Sequence, residues 1–107
     1  MAILTAETPL GDVELFTANV THNLMTMAEA AGLYRWIWYP EQKGVKIASD
    51  LIIPLTAGLQ RLKADPGTFQ KYNPSNGWGS YERFIPWIEN YLRACYASPG
   101  ARVTVSR

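Results

Sequence analysis

Cysteine and histidine are almost absent from this 107-residue sequence, which has one of each. The single cysteine, Cys95, cannot form an internal disulfide and has no second cysteine with which to share a metal ion. This usage is typical of a reducing compartment, so we expect a cytoplasmic protein. Because there is no His or Cys ligand set for zinc, we expect no metal, and no cofactor is expected either.

Long apolar runs are also missing. No stretch of about 18 apolar residues is available to span a bilayer, and the first residues lack the basic and apolar stretches of a signal peptide. We therefore expect a soluble protein without membrane association. The net charge of +1 gives no bulk attraction to polyanions, which argues against nucleic acid as a partner.

Catalytic signatures are lacking as well. There is no Gly-x-Ser-x-Gly motif, no Walker loop and no Rossmann fingerprint. Cys95 falls on the apolar face of its helix, which favours a small core residue over a nucleophile. Carboxylate pairs among Glu29, Glu41 and Glu82 would leave no trace in the sequence. We expect a protein that binds something and predict no catalytic residues.

The composition favours one folded domain over residues 1–107. The chain is 48% hydrophobic and 18% charged, and it has four tryptophans, six tyrosines and three phenylalanines, enough to form a core.

Residues 1–53 have three basic and six acidic side chains, whereas residues 54–107 have seven basic and three acidic ones. The two halves either complement each other, within the fold or between subunits, or indicate an anion site near the second half.

We predict an α+β fold in which three main helices pack on a small β-sheet. Alternating apolar and polar residues place strands near 12–20 and 101–106, and the simplest closure pairs these two strands. Residues 1–11 are interpreted as an irregular N-terminal arm. Two strands alone are marginal, so helices must cover one face, or the arm or another subunit must extend the sheet.

The helices are predicted from apolar spacing and from polar residues at their starts. Thr21 is a plausible N-cap for the first helix, and Ser80 can cap the third. The second helix covers about residues 47–64. Pro54 and Pro86 fall inside the second and third helices, where each would kink its helix.

The first candidate binding segment is Thr21, His22 and Asn23. At a helix start, unpaired amide groups and the positive end of the helix dipole attract anions. The alternative is that Thr21 only caps the helix, while His22 and Asn23 are solvated.

The second candidate segment leads into the third helix. Its residues Ser75, Asn76 and Trp78 lie in a loop with two glycines, which can bring backbone amides close to a ligand. Trp78 or Tyr81 would offer a stacking surface. The alternative is a structural turn whose tryptophan fills the core.

Aromatic residues are dense between positions 34 and 39. Trp36 and Trp38 lie on different faces of a helix, so if one is buried, the other is exposed or covered by a partner. This density favours a subunit interface, and we expect a homo-oligomer.

Several motifs resemble those of a family of small proteins found in phages and prophages. The motifs are Asn19-Val20-Thr21-His22-Asn23-Leu24, Met27-Ala28, Ala31-Gly32-Leu33-Tyr34, Trp38-Tyr39-Pro40 and Asn73-Pro74-Ser75-Asn76-Gly77-Trp78-Gly79. The resemblance implies an accessory phage protein acting in the host cytoplasm, and it assigns no activity or site. Phage proteins of this size often counter host defence by sequestering a nucleotide signal or by binding a defence protein.

Three functional hypotheses follow. The first is a small-molecule binder, with a nucleotide-type immune signal as its ligand, held by the two candidate segments. The second is a protein-binding inhibitor or structural interaction module, with exposed aromatic anchors around Trp36 to Trp38 or at Trp87. The third is a small enzyme with His22 as general base.

Overall fold

The sheet has three antiparallel strands in the order β2-β1-β3. The protein is seen here in a computed structural model, which describes residues 2–8, 11–20, 22–74 and 79–106. The strands are β1 (Ala2–Thr8), β2 (Gly11–Ala18) and β3 (Arg102–Val105). All three come from the two ends of the chain, and the helices lie between them in sequence. The predicted α+β fold is confirmed.

The N-terminal segment forms the central strand and is not an irregular arm. β1 pairs with β2 along its length and with β3 from Ala2 to Thr5, so the predicted pairing of the two other strands is wrong. The alternative, in which the arm extends the sheet, is confirmed. Ala2 and Leu4 are fully buried in the central position, whereas β2 is mostly exposed and occupies an edge.

The helical region contains the three predicted helices, with the first one divided. Gly32 adopts a positive φ of 75°, which a side chain would disfavour, and the chain turns there between two short helices. The helices are α1 (Met25–Ala30), α2 (Tyr34–Trp38), α3 (Ser49–Ala64), α4 (Pro66–Gln70) and α5 (Tyr81–Ala97), with 3-10 turns at His22–Leu24 and Pro40–Lys43.

The core lies where α3 and α5 pack against each other and against the sheet. Their buried residues recur at helical spacing, as the sequence predicts. In α3 they are Leu51, Leu55, Gly58 and Leu62, and in α5 they are Tyr81, Phe84, Ile88, Tyr91, Leu92 and Cys95.

Two contacts show that α3 and α5 are antiparallel. The Ser49 N–H at the start of α3 donates to the Pro99 carbonyl just beyond the end of α5. The Tyr81 hydroxyl at the start of α5 donates to the Leu62 carbonyl near the end of α3. Both helices continue through Pro54 and Pro86, and a kink at either proline stays a prediction.

Within the described ranges, no helix is both long enough and apolar enough to cross a membrane.

Candidate functional site

A cleft of about 240 Å³ lies between the end of β2 and the start of α5. Three of its residues come from the chain around the end of the strand, and three come from the chain entering and forming α5. They are Asn19, Val20 and Leu24, and Gly79, Arg83 and Trp87. Leu24 directly follows the first candidate segment, residues 21–23, in sequence, and Gly79 belongs to the second, residues 75–81.

Local chemistry fixes the start of α5. The Ser80 side chain accepts a hydrogen bond from the Arg83 N–H at 3.3 Å, which confirms its predicted role as N-cap. The Asn73 side-chain oxygen accepts from the Tyr81 N–H at 2.7 Å. Because Arg83 and Trp87 are four residues apart in the helix that begins there, both side chains lie on the same helix face.

The opposite wall is held by Leu24. This side chain is buried in the core and closes the 3-10 turn His22–Leu24, which precedes α1. Asn19 and Val20 are exposed and half-buried, respectively. The turn thus anchors the polypeptide on one side of the cleft while α5 provides the other side.

The structure describes only some of the predicted site residues. Thr21, Ser75, Asn76 and Trp78 lie outside the described residues, as does the side chain of His22. Asn23 is exposed in the turn beside the cleft.

Tyr81 has a place in the core. Its side chain is 8% exposed, and its hydroxyl donates a buried hydrogen bond of 2.8 Å to the Leu62 carbonyl. This phenol group therefore supports the junction of α3 and α5. Its predicted stacking on a ligand stays a prediction.

None of the six lining residues is among the predicted site residues, and Arg83 and Trp87 are the two whose side chains best suit a ligand. From the sequence, Arg83 is assigned to the polar face of the third helix. Trp87 is predicted only as an anchor for a protein partner. Their spacing of four residues directly after a capped helix start is the signal that could have joined them.

Trp87 forms an ordered aromatic wall. Its ring stacks against Phe84 at a centroid distance of 6.1 Å and makes an edge-on contact with Tyr91 at 5.4 Å. The indole N–H is buried and has no hydrogen-bond partner among the described residues. An unpaired buried donor costs free energy, which an acceptor placed beside it would recover.

Charge in the cleft comes from Arg83, whose side chain is exposed. A guanidinium presents several N–H donors in a planar arrangement that suits carboxylate and phosphate groups. The combination of one cation and one indole can bind an anion that carries a planar apolar group.

Cys95 lies in the core, and Glu82 pairs with a side chain of α4. Cys95 is fully buried, as predicted, and its burial raises the pKa of the thiol to about 11. No group of three metal-ligating side chains is present in the described part of the chain. Glu82 accepts a hydrogen bond from the Gln70 side chain at 2.9 Å.

A larger cavity of about 580 Å³ lies against the sheet, away from the predicted segments. Its basic lining residues are Lys46 and Arg102. The Arg102 guanidinium already forms an ion pair of 2.6 Å with Asp12, which weakens its attraction for another anion. Size therefore favours this cavity, but the arrangement of charge and aromatic surface favours the cleft beside Arg83.

No protein-family model, curated protein or solved structure matches this chain.

Proposed function

We propose that this protein binds a small anionic ligand of the nucleotide type in the cleft between β2 and α5. The observation that carries the proposal is that the Arg83 guanidinium and the Trp87 indole, on the same face of α5, both line this cleft. Arg83 would pair with a phosphate group, and Trp87 would pack against a base or ribose.

The volume of the cleft limits the size of the ligand. At about 240 Å³ it is smaller than the roughly 300–1,000 Å³ of cavities that enclose drug-sized molecules. A single nucleotide, or one nucleotide unit of a larger signal, fits this limit better than a whole dinucleotide. The ligand would leave unchanged, because the described lining contains no nucleophile paired with a base.

Binding without conversion accords with the resemblance to small phage proteins. We propose on that basis that the protein sequesters a nucleotide-type immune signal in the host cytoplasm and so counters host defence. To sequester the signal, the protein must reach a concentration higher than the Kd of the complex and higher than the concentration of the signal.

Arg83→Gln is expected to weaken nucleotide binding about tenfold, because a charge-assisted pair with phosphate is lost at an exposed site. Isothermal titration calorimetry with AMP, GMP and their cyclic forms measures this change. Arg93→Gln is the matched control, since Arg93 is an exposed arginine of the same helix that hydrogen-bonds to Asn90 and lies outside the cleft. Its affinity should equal that of the unmodified protein.

Two results would contradict the proposal. One is the absence of any binding or thermal stabilisation by these nucleotides at millimolar concentration. The other is binding that Arg83→Gln and Arg93→Gln weaken equally, which would indicate a general effect of charge. Recovery of a chemically altered nucleotide would instead support an enzyme.

A second candidate function, protein interaction, is favoured by the edge strand β2. Its outer edge pairs with no other described strand, and Val13 and Leu15 are each 46% exposed. Leu15 is the extra residue of a β-bulge, because Leu4 lies opposite Phe16 while Thr5 lies opposite Glu14. An exposed edge with apolar side chains can add a strand from another chain, and we propose a second copy of this protein as that partner.

Light scattering after size-exclusion chromatography tests this homo-oligomer. We expect the unmodified protein to elute as a dimer and Leu15→Lys to elute as a monomer, because a charge on the edge opposes strand addition. Ile53→Lys is the control, since Ile53 is 81% exposed on α3. A monomeric unmodified protein, or a dimer that only Ile53→Lys disrupts, would exclude pairing through β2.

A further inference from the structure

A second cleft, of about 170 Å³, lies at the junction of α1, α2 and the 3-10 turn Pro40–Lys43. Its lining residues are Glu29, Gly32, Tyr34, Arg35, Trp36 and Lys43. None of them lines the cleft beside Arg83, so the two clefts can be tested separately.

Two cationic side chains line this second cleft, and a third, Arg61, lies next to Gly32, which also lines it. Arg35 and Lys43 line it, and the Lys43 ammonium lies 5.2 Å from the centre of the Trp36 ring. Arg61, on α3, approaches the lining residue Gly32. The Arg61 Nε donates to the Ala31 carbonyl at 2.8 Å, which holds the guanidinium against the backbone beside Gly32.

The Arg61 guanidinium lies close to the backbone at Gly32. A Cβ atom at this position would lie 2.8 Å from Arg61 Nη2, which is closer than the two groups can come without movement. The positive φ of 75° at Gly32 also disfavours any other residue. The backbone therefore leaves room for a guanidinium at the wall of the cleft.

These positive charges are not neutralised within the described protein. Arg35, Lys43 and Arg61 form no ion pair with a described carboxylate, and Glu29 is the one acidic side chain in the lining. The lining has two cations and one carboxylate, an excess of one positive charge, and Arg61 adds a further positive charge beside Gly32. Like charges held close together repel one another, and a polyvalent anion between them would relieve that repulsion.

Trp36 supplies an apolar wall beside these charges. Its side chain is half-buried against the core, while Trp38 is 3% exposed. The two tryptophans thus differ in burial, as their placement on different helix faces predicts. The exposed part of the Trp36 ring, flanked by Lys43, limits access of water to one side of an anion in the cleft.

We propose that the cleft beside Trp36 binds the phosphate group of a small phosphorylated molecule, with Arg35, Lys43 and Arg61 as its cationic partners. Arginine side chains present paired N–H donors to phosphate oxygens, and the lysine adds a mobile point charge. The limited volume accommodates one or two phosphate groups with few further atoms. This site is independent of the one assigned to the proposed nucleotide function.

Inorganic pyrophosphate is the probe. We expect it to bind with one-to-one stoichiometry in calorimetry, and to shift the indole N–H resonance of Trp36 in a ¹⁵N-labelled sample, assigned with Trp36→Phe. Lys43→Gln and Arg35→Gln should each weaken binding about tenfold. Added salt should also weaken it, because exposed charges are screened.

The controls are Lys71→Gln, an exposed lysine near the end of α4, and Arg83→Gln in the first cleft. Both should leave pyrophosphate affinity and the Trp36 shift unchanged. The proposal is overturned if pyrophosphate fails to bind at millimolar concentration, or if binding is insensitive to Lys43→Gln and Arg35→Gln. It is also overturned if Arg83→Gln alone abolishes binding, since the anion would then occupy the cleft of the proposed nucleotide site.

Discussion

Replacing Gly58 by alanine is expected to lower the free energy of unfolding by about 3 kcal/mol, the upper part of the range for overpacking a core. Gly58 lies in the middle of α3 on its buried face. A Cβ atom there would come well inside 3.0 Å of the Leu33 side chain, which is itself fully buried. The clash outweighs the gain of about 1 kcal/mol that alanine normally brings to a helix interior.

Urea denaturation measures the change, and Gly67→Ala is the matched control. Gly67 lies in α4, and a Cβ atom there would meet nothing within 4 Å. That variant should be as stable as the unmodified protein, or more stable.

A second substitution tests whether the Leu33 side chain causes the loss of stability in Gly58→Ala. Leu33→Ala alone creates a cavity and costs about 2–5 kcal/mol. Combined with Gly58→Ala, it removes the atoms that clash, so the double variant should lose less stability than the sum of the two single losses. A Gly58→Ala protein with unchanged stability, or strictly additive losses, would show that α3 and Leu33 are not packed in this way.

The helices were predictable from the sequence because their signals are local. The leucines of α3 repeat at helical spacing, and the Ser80 hydroxyl can reach an unpaired amide only a few residues along the chain. Gly32 marks the division of the first helix by the same kind of local signal. None of these features requires knowledge of distant contacts.

The central strand was not predictable in this way. β1 has alanine at two of its seven positions, so its alternation of apolar and polar residues is weak. Its position depends on pairing with β3, almost a hundred residues away in the chain. Strand order depends on such distant pairings, and Leu4 of the central strand is fully buried.

The candidate site was predictable only as far as its two helix starts. The cap at Ser80 follows from local chemistry, whereas α1 begins at Met25 after the 3-10 turn His22–Leu24 and has no side-chain cap. The meeting of Arg83 with Asn19 across a cleft depends on how the end of β2 packs against α5. The second cleft depends in the same way on Arg61 reaching Gly32 from a distant helix.

Tyr91 and Tyr81 lie on the buried face of the same helix, and their hydroxyl groups are expected to affect stability in opposite directions. The Tyr91 hydroxyl is buried without a hydrogen-bond partner among the described residues. The Tyr81 hydroxyl donates to the Leu62 carbonyl. A buried polar group without a partner costs about 1–3 kcal/mol, whereas a hydrogen bond contributes about 1 kcal/mol.

Tyr91→Phe is therefore expected to raise the free energy of unfolding by about 1 kcal/mol or more, and Tyr81→Phe to lower it by about 1 kcal/mol. Urea denaturation at pH 7 measures both, and Tyr96→Phe, at a side chain that is 64% exposed, should change nothing. A destabilised Tyr91→Phe protein would mean that this hydroxyl has a hydrogen-bond partner.

The stability difference between Tyr91→Phe and the unmodified protein is expected to depend on pH, because the Tyr91 hydroxyl can ionise. Burial raises the pKa of the Tyr91 hydroxyl well above its ordinary value, and neighbouring Cys95 adds to the shift. The folded protein therefore keeps the phenol protonated at pH values where the unfolded chain releases the proton. Ionisation of this hydroxyl therefore has no effect on the free energy of unfolding below a pH of about 10. Above that pH, the unfolded chain ionises first, and the free energy of unfolding falls as the pH rises. The advantage of Tyr91→Phe over the unmodified protein should thus widen above that pH, and a constant difference between pH 7 and 11 would contradict the burial of this hydroxyl.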